Sequence, residues 1–129
     1  MYGRIEVFSK AIDSDVKLSP HFRVGEFAAV DDDMILVSEE LVCALEKIRS
    51  HFGGRHVIIH SGYRSPEHNK VVGGKPRSKH LYGLAADFHI EGVSPYEVFK
   101  YCDKTFWSSG VGEYQSFTQL DMRGHHARW

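Results

Sequence analysis

Ser78-Lys79-His80-Leu81-Tyr82-Gly83-Leu84-Ala85-Ala86-Asp87 sets an imidazole and a carboxylate seven positions apart, with small and apolar residues between them. That spacing exceeds one helical turn of about 3.6 residues, so the two groups meet only if a loop residue and a strand residue converge. Leu84-Ala85-Ala86 reads as the entry to a buried strand, and Asp87 lies inside it. An unpaired carboxylate there would be costly, so Asp87 requires a cationic partner, hydrogen-bond donors or a metal. His80 alone would be an ordinary hydrogen-bonded loop histidine. Together the two are the ligand types of a catalytic zinc, which takes three protein groups and leaves a fourth position for water.

Outward from this segment, the chain alternates short helices and strands. Ser38-Glu39-Glu40 offers a helix cap and two acids facing the helix dipole. Leu41, Leu45, Ile48 and Phe52 supply one apolar face, and Gly53-Gly54 ends the helix. Val57-Ile58-Ile59 is a short β-branched strand, and Leu84 to Ile90 is a second core strand. Ser65-Pro66-Glu67 opens a short helix that Val72-Gly73-Gly74-Lys75-Pro76 closes into a loop. Ser94-Pro95-Tyr96-Glu97 is a capping box with proline at the first helical position, predicting a helix to about Lys104. Ser109 to Gly112 and Phe117 to Met122 read as a hairpin around Tyr114-Gln115-Ser116. Nearer the start, Leu18 to Phe22 reads as an extended lead-in, Val24 to Ala29 as a short element and Asp31 to Asp33 as an acidic turn. Helices precede strands and the last two strands are neighbours. This pattern predicts an α+β fold: one small, mostly antiparallel sheet with helices packed on one side.

A chain of 129 residues is long enough for one core, so a single domain over residues 1–129 is expected. A net charge of −1 gives no basic face for nucleic acid. No stretch approaches a membrane span, and Met1 to Val7 lacks the apolar run of a signal peptide. The expectation is a monomer made in the cytoplasm, reaching any external target by release through lysis or within a larger particle. Cys43 and Cys102 both fall at apolar positions of helical patterns and read as reduced core residues, although a disulfide between them stays compatible with the sequence.

Arg64, in Ser61-Gly62-Tyr63-Arg64-Ser65, stands at a strand end beside a glycine turn. A guanidinium there suits a bidentate grip on a carboxylate or a developing oxyanion, and a structural salt bridge equally. Ser61 and Ser78 can orient a ligand or water. Neither sits in a nucleophile elbow, so serine hydrolase chemistry has no support.

His60-Ser61-Gly62-Tyr63-Arg64-Ser65, His68-Asn69, Val72-Gly73-Gly74, Ser78 through Asp87, and Gly110-Val111-Gly112-Glu113-Tyr114 occur in that order, with Arg128-Trp129 at the close. From about Leu18 to Trp129 the chain resembles the M15 zinc peptidases of the D-alanyl-D-alanine carboxypeptidase type, which share a fold with the hedgehog signalling domain. The resemblance implies zinc-dependent cleavage of peptidoglycan peptide stems, as in phage endolysins and cell-wall remodelling enzymes. It implies that His80 and Asp87 are the first two zinc ligands. Arg64 would bind substrate or stabilise the transition state, with Ser78 as a further substrate contact.

Where similar sequences carry a histidine as third zinc ligand, this chain has Gln119 in Phe117-Thr118-Gln119-Leu120-Asp121. An amide oxygen is a weaker zinc donor than imidazole. Four arrangements follow. Gln119 ligates weakly; Asp121, two positions on and on the same strand face, takes over; His89, His125 or His126 swings in; or the site is degenerate and the protein binds cell wall, or serves as a virion part, without cutting. A small metal-sensing domain is a third class of function that fold likeness alone suggests. Asp121 matches an aspartate that either supports the site or accepts the proton passed to the leaving amine, and Glu113 is a second carboxylate for that shuttle.

Overall fold

The computed structural model describes residues 4–129, and residues 1–3 of the opening stretch lie outside it. In chain order the elements are β1 (Ile5–Ser9), α1 (Lys10–Asp13), β2 (Lys17–Ser19), β3 (Phe22–Arg23), β4 (Met34–Ser38), α2 (Glu39–His51), β5 (Val57–Ser61), α3 (Pro66–Val71), β6 (Ala85–Ile90), α4 (Pro95–Thr105), β7 (Gly110–Glu113), β8 (Thr118–Asp121) and β9 (Ala127–Arg128). Short 3-10 helices occupy Val24–Phe27 and Lys79–Tyr82. The main sheet has the order β5-β6-β8-β7-β9, antiparallel except where β9 joins β7 in parallel. Helices plus a small, mostly antiparallel sheet make this the α+β fold expected from the sequence.

The caps explain why the helices start where they do. Ser38 Oγ accepts the Leu41 N–H, Ser65 Oγ the His68 N–H, and Ser94 Oγ the Glu97 N–H. Gly53 and Gly54, both at positive φ, stop α2. One face of α2 buries Leu41, Leu45 and Ile48, and α4 buries Val98 and Cys102. Both meet the sheet side that carries Ala86, Phe88 and Ile90 of β6, with Val111 and Leu120 alongside, in one hydrophobic core. His51 of α2 stacks on Tyr101 of α4 with ring centroids 3.8 Å apart.

The N-terminal third holds more regular structure than the sequence suggests. β1 and β4 form an antiparallel pair, and β2 with β3 form another, where the sequence suggests an extended lead-in, an acidic turn and the short Val24-to-Ala29 element that forms a 3-10 helix. β9 is also additional to that reading. Gly83 ties the N-terminal pair to the main sheet. It sits at φ 72°, and a Cβ there would come within 2.5 Å of the Leu36 backbone. A side chain at this position would be strained in conformation and would collide with backbone.

Arg128 clasps the end of α4. Its guanidinium donates to the Asp103 carboxylate at 2.6 Å and to the carbonyls of Asp103, Phe106, Ser109 and Ala127. A cation at a helix C-terminus also opposes the helix dipole. Arg128→Ala leaves these acceptors without their donor, and we expect a loss of about 3 kcal/mol in urea unfolding. A shift below about 0.5 kcal/mol, the surface level, would refute the clasp.

Cys102 is buried as expected, and burial pushes its thiol up to about 12. Cys43 is not a core residue. It lies on the exposed side of α2, and both thiols are free. The helical pattern places Cys43 next to buried Val42 and Ala44, but at 100° per residue it falls just outside the apolar stripe. A native thiol titration should therefore label one equivalent, Cys43, and reach the second only on unfolding. Two equivalents in the native state would contradict the packing of α4.

Candidate metal centre

Alternation along β6 sends Ala86, Phe88 and Ile90 into the core, so Asp87 and His89 share the opposite face. Register then aligns one row across the sheet. Ser61 of β5 pairs with Asp87, Asp87 with Gln119 of β8, and Gln119 with Gly112 of β7. His80 reaches the same row from the 3-10 helix before β6. Ser78 caps that helix by accepting the His80 N–H at 3.3 Å, which fixes where the imidazole begins.

His80 is 1% exposed and Asp87 7%. The Nδ1 of His80 lies 2.7 Å from the Gly62 carbonyl oxygen, which can only accept, so Nδ1 carries the proton. Its Nε2 then points at Asp87 Oδ1, 3.2 Å away. Two lone-pair-bearing atoms facing each other in a buried place need a cation or a proton between them. A backbone carbonyl fixing the tautomer of a ligating histidine is the usual outer support of a metal site. The sequence reading brings these two residues together, and the structure does the same.

Arg64 stands on the other side of Asp87. Its NH2 donates to Asp87 Oδ2 at 3.3 Å, its Nε to Ser61 Oγ at 3.3 Å and its NH1 to Asn69 Oδ1 at 3.2 Å. Its backbone N–H donates to the His80 carbonyl at 3.1 Å, so the segment from Gly62 to Arg64 and the His80 turn hold each other. Asn69 has a role at the site that its sequence context does not declare. It is buried in α3, its amide donates to the Lys75 carbonyl at 2.9 Å, and Gly74 packs directly on it. An asparagine just ahead of a double glycine is the available signal, because only a close backbone approach calls for both.

Gln119 lines the cleft, and its side chain makes no hydrogen bond among the described residues. Asp121, the alternative ligand or proton acceptor, has a partner of its own. It is fully buried, and Arg123 binds both its oxygens, Nε to Oδ1 and NH2 to Oδ2, each at 2.8 Å. Although Asp121 alternates onto the same strand face as Gln119, this pairing turns its carboxylate away from the cleft lining. Gly110 makes room for that ion pair, since a Cβ there would lie 2.5 Å from Asp121 Oδ1. Gly112 does the same for the Trp129 indole, which would meet a Cβ at 2.5 Å. The two glycines of Gly110-Val111-Gly112 thus let Asp121 and the chain's closing tryptophan lie on bare backbone. The Trp129 Nε1 donates to Tyr114 Oη at 2.9 Å, and Arg123 lies over the indole.

Among the remaining expectations, His126 donates from Nδ1 to the Trp107 carbonyl oxygen at 2.8 Å, and its ring lies against Trp107. Since a carbonyl accepts only, Nδ1 is the donor. His125 and Glu113 are exposed and do not line the cleft. Among the described residues no third histidine, cysteine or carboxylate joins His80 and Asp87 in a ligating group.

The cleft has a volume of about 670 Å³ and is open to solvent. Arg64, Lys75, Arg77 and Lys79 line it beside His80, Asp87 and Gln119, so positive charge outweighs negative at its mouth. Residues 15–121 match the family model described as Peptidase M15. The chain belongs to the M15 peptidases. No curated protein matches it. M15 peptidases are generally zinc-dependent. In this M15 chain the donor set fits a divalent cation at two positions, an imidazole nitrogen and a carboxylate oxygen facing each other, and Gln119 borders the same cleft. Nearby, Tyr63 is pushed upward in pKa by burial first and then by Asp32, Asp31 and Glu67, so its phenol stays protonated at neutral pH.

Proposed function

We propose that this M15 protein is a zinc-dependent peptidase of peptidoglycan peptide stems, working as a carboxypeptidase or endolysin-like endopeptidase. The observation that carries the reading is the convergence of His80 Nε2, Asp87 and the Arg64 guanidinium at one point of an open cleft. His80, Asp87 and Gln119 would hold zinc. When bound, zinc supplies a Lewis acid that polarises a carbonyl and brings the pKa of water to roughly 7.

The chain's own residues do the rest. Arg64 is held on three sides, and its face toward Asp87 borders the cleft, where it can neutralise a substrate carboxylate or a developing oxyanion. Lys75, Arg77 and Lys79 add a positive rim that suits a peptide ending in a carboxylate. Ser78 fixes His80 through its cap and borders the substrate space. Asp121 supports the site through Arg123 and the β7 backbone, and its buried ion pair argues against its passing a proton to the leaving amine.

Gln119 favours a second reading, a catalytically weakened domain that binds cell wall without cutting. One experiment separates the two. Zinc-loaded protein and an His80→Ala control are incubated with purified peptidoglycan, and the products are read by mass spectrometry. Released D-alanine or new amino termini that depend on His80 support the peptidase. Intact stems with protein retained on the polymer support the binding module.

A further inference from the structure

A pair of imidazoles, neither of them lining the cleft, meets on the open face of the sheet. His60 Nε2 and His89 Nδ1 lie 2.5 Å apart, with rings at 82° and centroids 4.8 Å apart. The fold places them there by a specific device. The ladder between β5 and β6 shifts register between Ile59 and Ser61, which keeps Ser61 opposite Asp87 and leaves His60 as the extra residue of a bulge. Alternation along β5 puts His60 on the same face as Ile58, the partner of His89, and the bulge brings Ser61 onto that open face as well, opposite Asp87. Phe117 backs the His60 ring at 5.9 Å, and Tyr114 stacks on Phe117 at 4.4 Å.

We propose that His60 and His89 form a cross-strand chelate for a divalent transition metal such as zinc, nickel or copper, separate from the site at His80 and Asp87. Two ring nitrogens at 2.5 Å cannot face each other with lone pairs alone; a proton or a cation must lie between them. Imidazole is the nitrogen donor that zinc, nickel and copper favour. Zinc–nitrogen bonds of about 2.0–2.1 Å put two tetrahedral ligands roughly 3.3 Å apart, so binding needs the rings to open by about 0.8 Å. His60 is exposed and His89 half-buried, so their rings have room for this movement, while the bulge and the β6 ladder hold their backbones. The remaining coordination positions face solvent and would hold water. The proposal does not depend on the peptidase reading, because neither histidine belongs to that donor set.

The test is zinc titration of metal-stripped protein against a chromogenic chelator, with imidazole ¹⁵N spectra recorded alongside. Wild type, His60→Ala, His89→Ala and His80→Ala are compared, and circular dichroism checks that each is folded. The expected result is one zinc equivalent that survives His80→Ala and weakens at least tenfold in both His60→Ala and His89→Ala, with ¹⁵N shifts at the His60 and His89 rings. An equivalent lost in His80→Ala and His89→Ala but kept in His60→Ala would overturn it, placing His89 in the cleft site. Zinc binding indifferent to His60, or no zinc-induced change at either ring, would overturn it as well and leave a proton-bridged pair. Should the cleft site fail, loss confined to His80→Ala goes missing while the His60 dependence remains, so the two outcomes are distinguishable.

Discussion

Replacing Gln119 with histidine is expected to raise zinc affinity by about 100-fold or more, since even outer-shell support of a zinc ligand is worth 10–100-fold. Gln119 sits opposite Asp87 in the ladder, lines the cleft and makes no side-chain hydrogen bond among the described residues. The substitution therefore breaks nothing, and an imidazole replaces a neutral amide oxygen as donor. Its cost to stability should be at the surface level of about 0.5 kcal/mol. Calorimetric titration of both proteins with zinc provides the comparison, and proton release should accompany binding in the variant because ligands compete with hydrogen ions. If turnover of peptidoglycan stems rises in parallel, the natural chain is a peptidase with a weakened metal site. Equal affinities in the two proteins would show that another donor already completes the site and that Gln119 is not the limiting position.

The second large effect concerns Arg64. Arg64→Ala should lower turnover by about 100- to 1,000-fold, the range for removing a donor aimed at developing charge. Zinc binding should be retained or become tighter, because the substitution removes a positive neighbour from Asp87, a group that would share the metal's charge. Arg64→Lys should not rescue, since a lysine cannot reach Ser61, Asn69 and Asp87 at once with a planar fork. Parallel loss of zinc and of turnover would instead make Arg64 a strut for the Gly62-to-Arg64 turn.

The two predictions rest on residues that differ in how far the sequence exposes them. His80, Asp87 and Arg64 are legible because polar groups inside apolar or glycine-flanked segments require partners, and few partners are available. Gln119 is legible only as a departure from what similar sequences hold. Asp121 shows the limit of strand alternation. The period of two correctly puts it on the Gln119 face, but Arg123, two residues further on, takes its carboxylate. Periodicity gives the face of a side chain and says nothing of which neighbour will compete for it. Cys43 fails for a related reason, since a one-residue rotation on a helix separates buried from exposed.

By itself the sequence determined the α+β class, the starts of α2, α3 and α4, the two strands that bracket the site and the pairing of His80 with Asp87. These follow from local rules: serine caps, glycine stops, β-branched runs and the cost of burying charge. Only the tertiary structure decided the pairing of β1 with β4, the parallel addition of β9, the Asn69 support of Arg64, the capture of Asp121 by Arg123 and the meeting of His60 with His89. Such contacts depend on where two segments pass in space, and no periodicity within either segment encodes that distance.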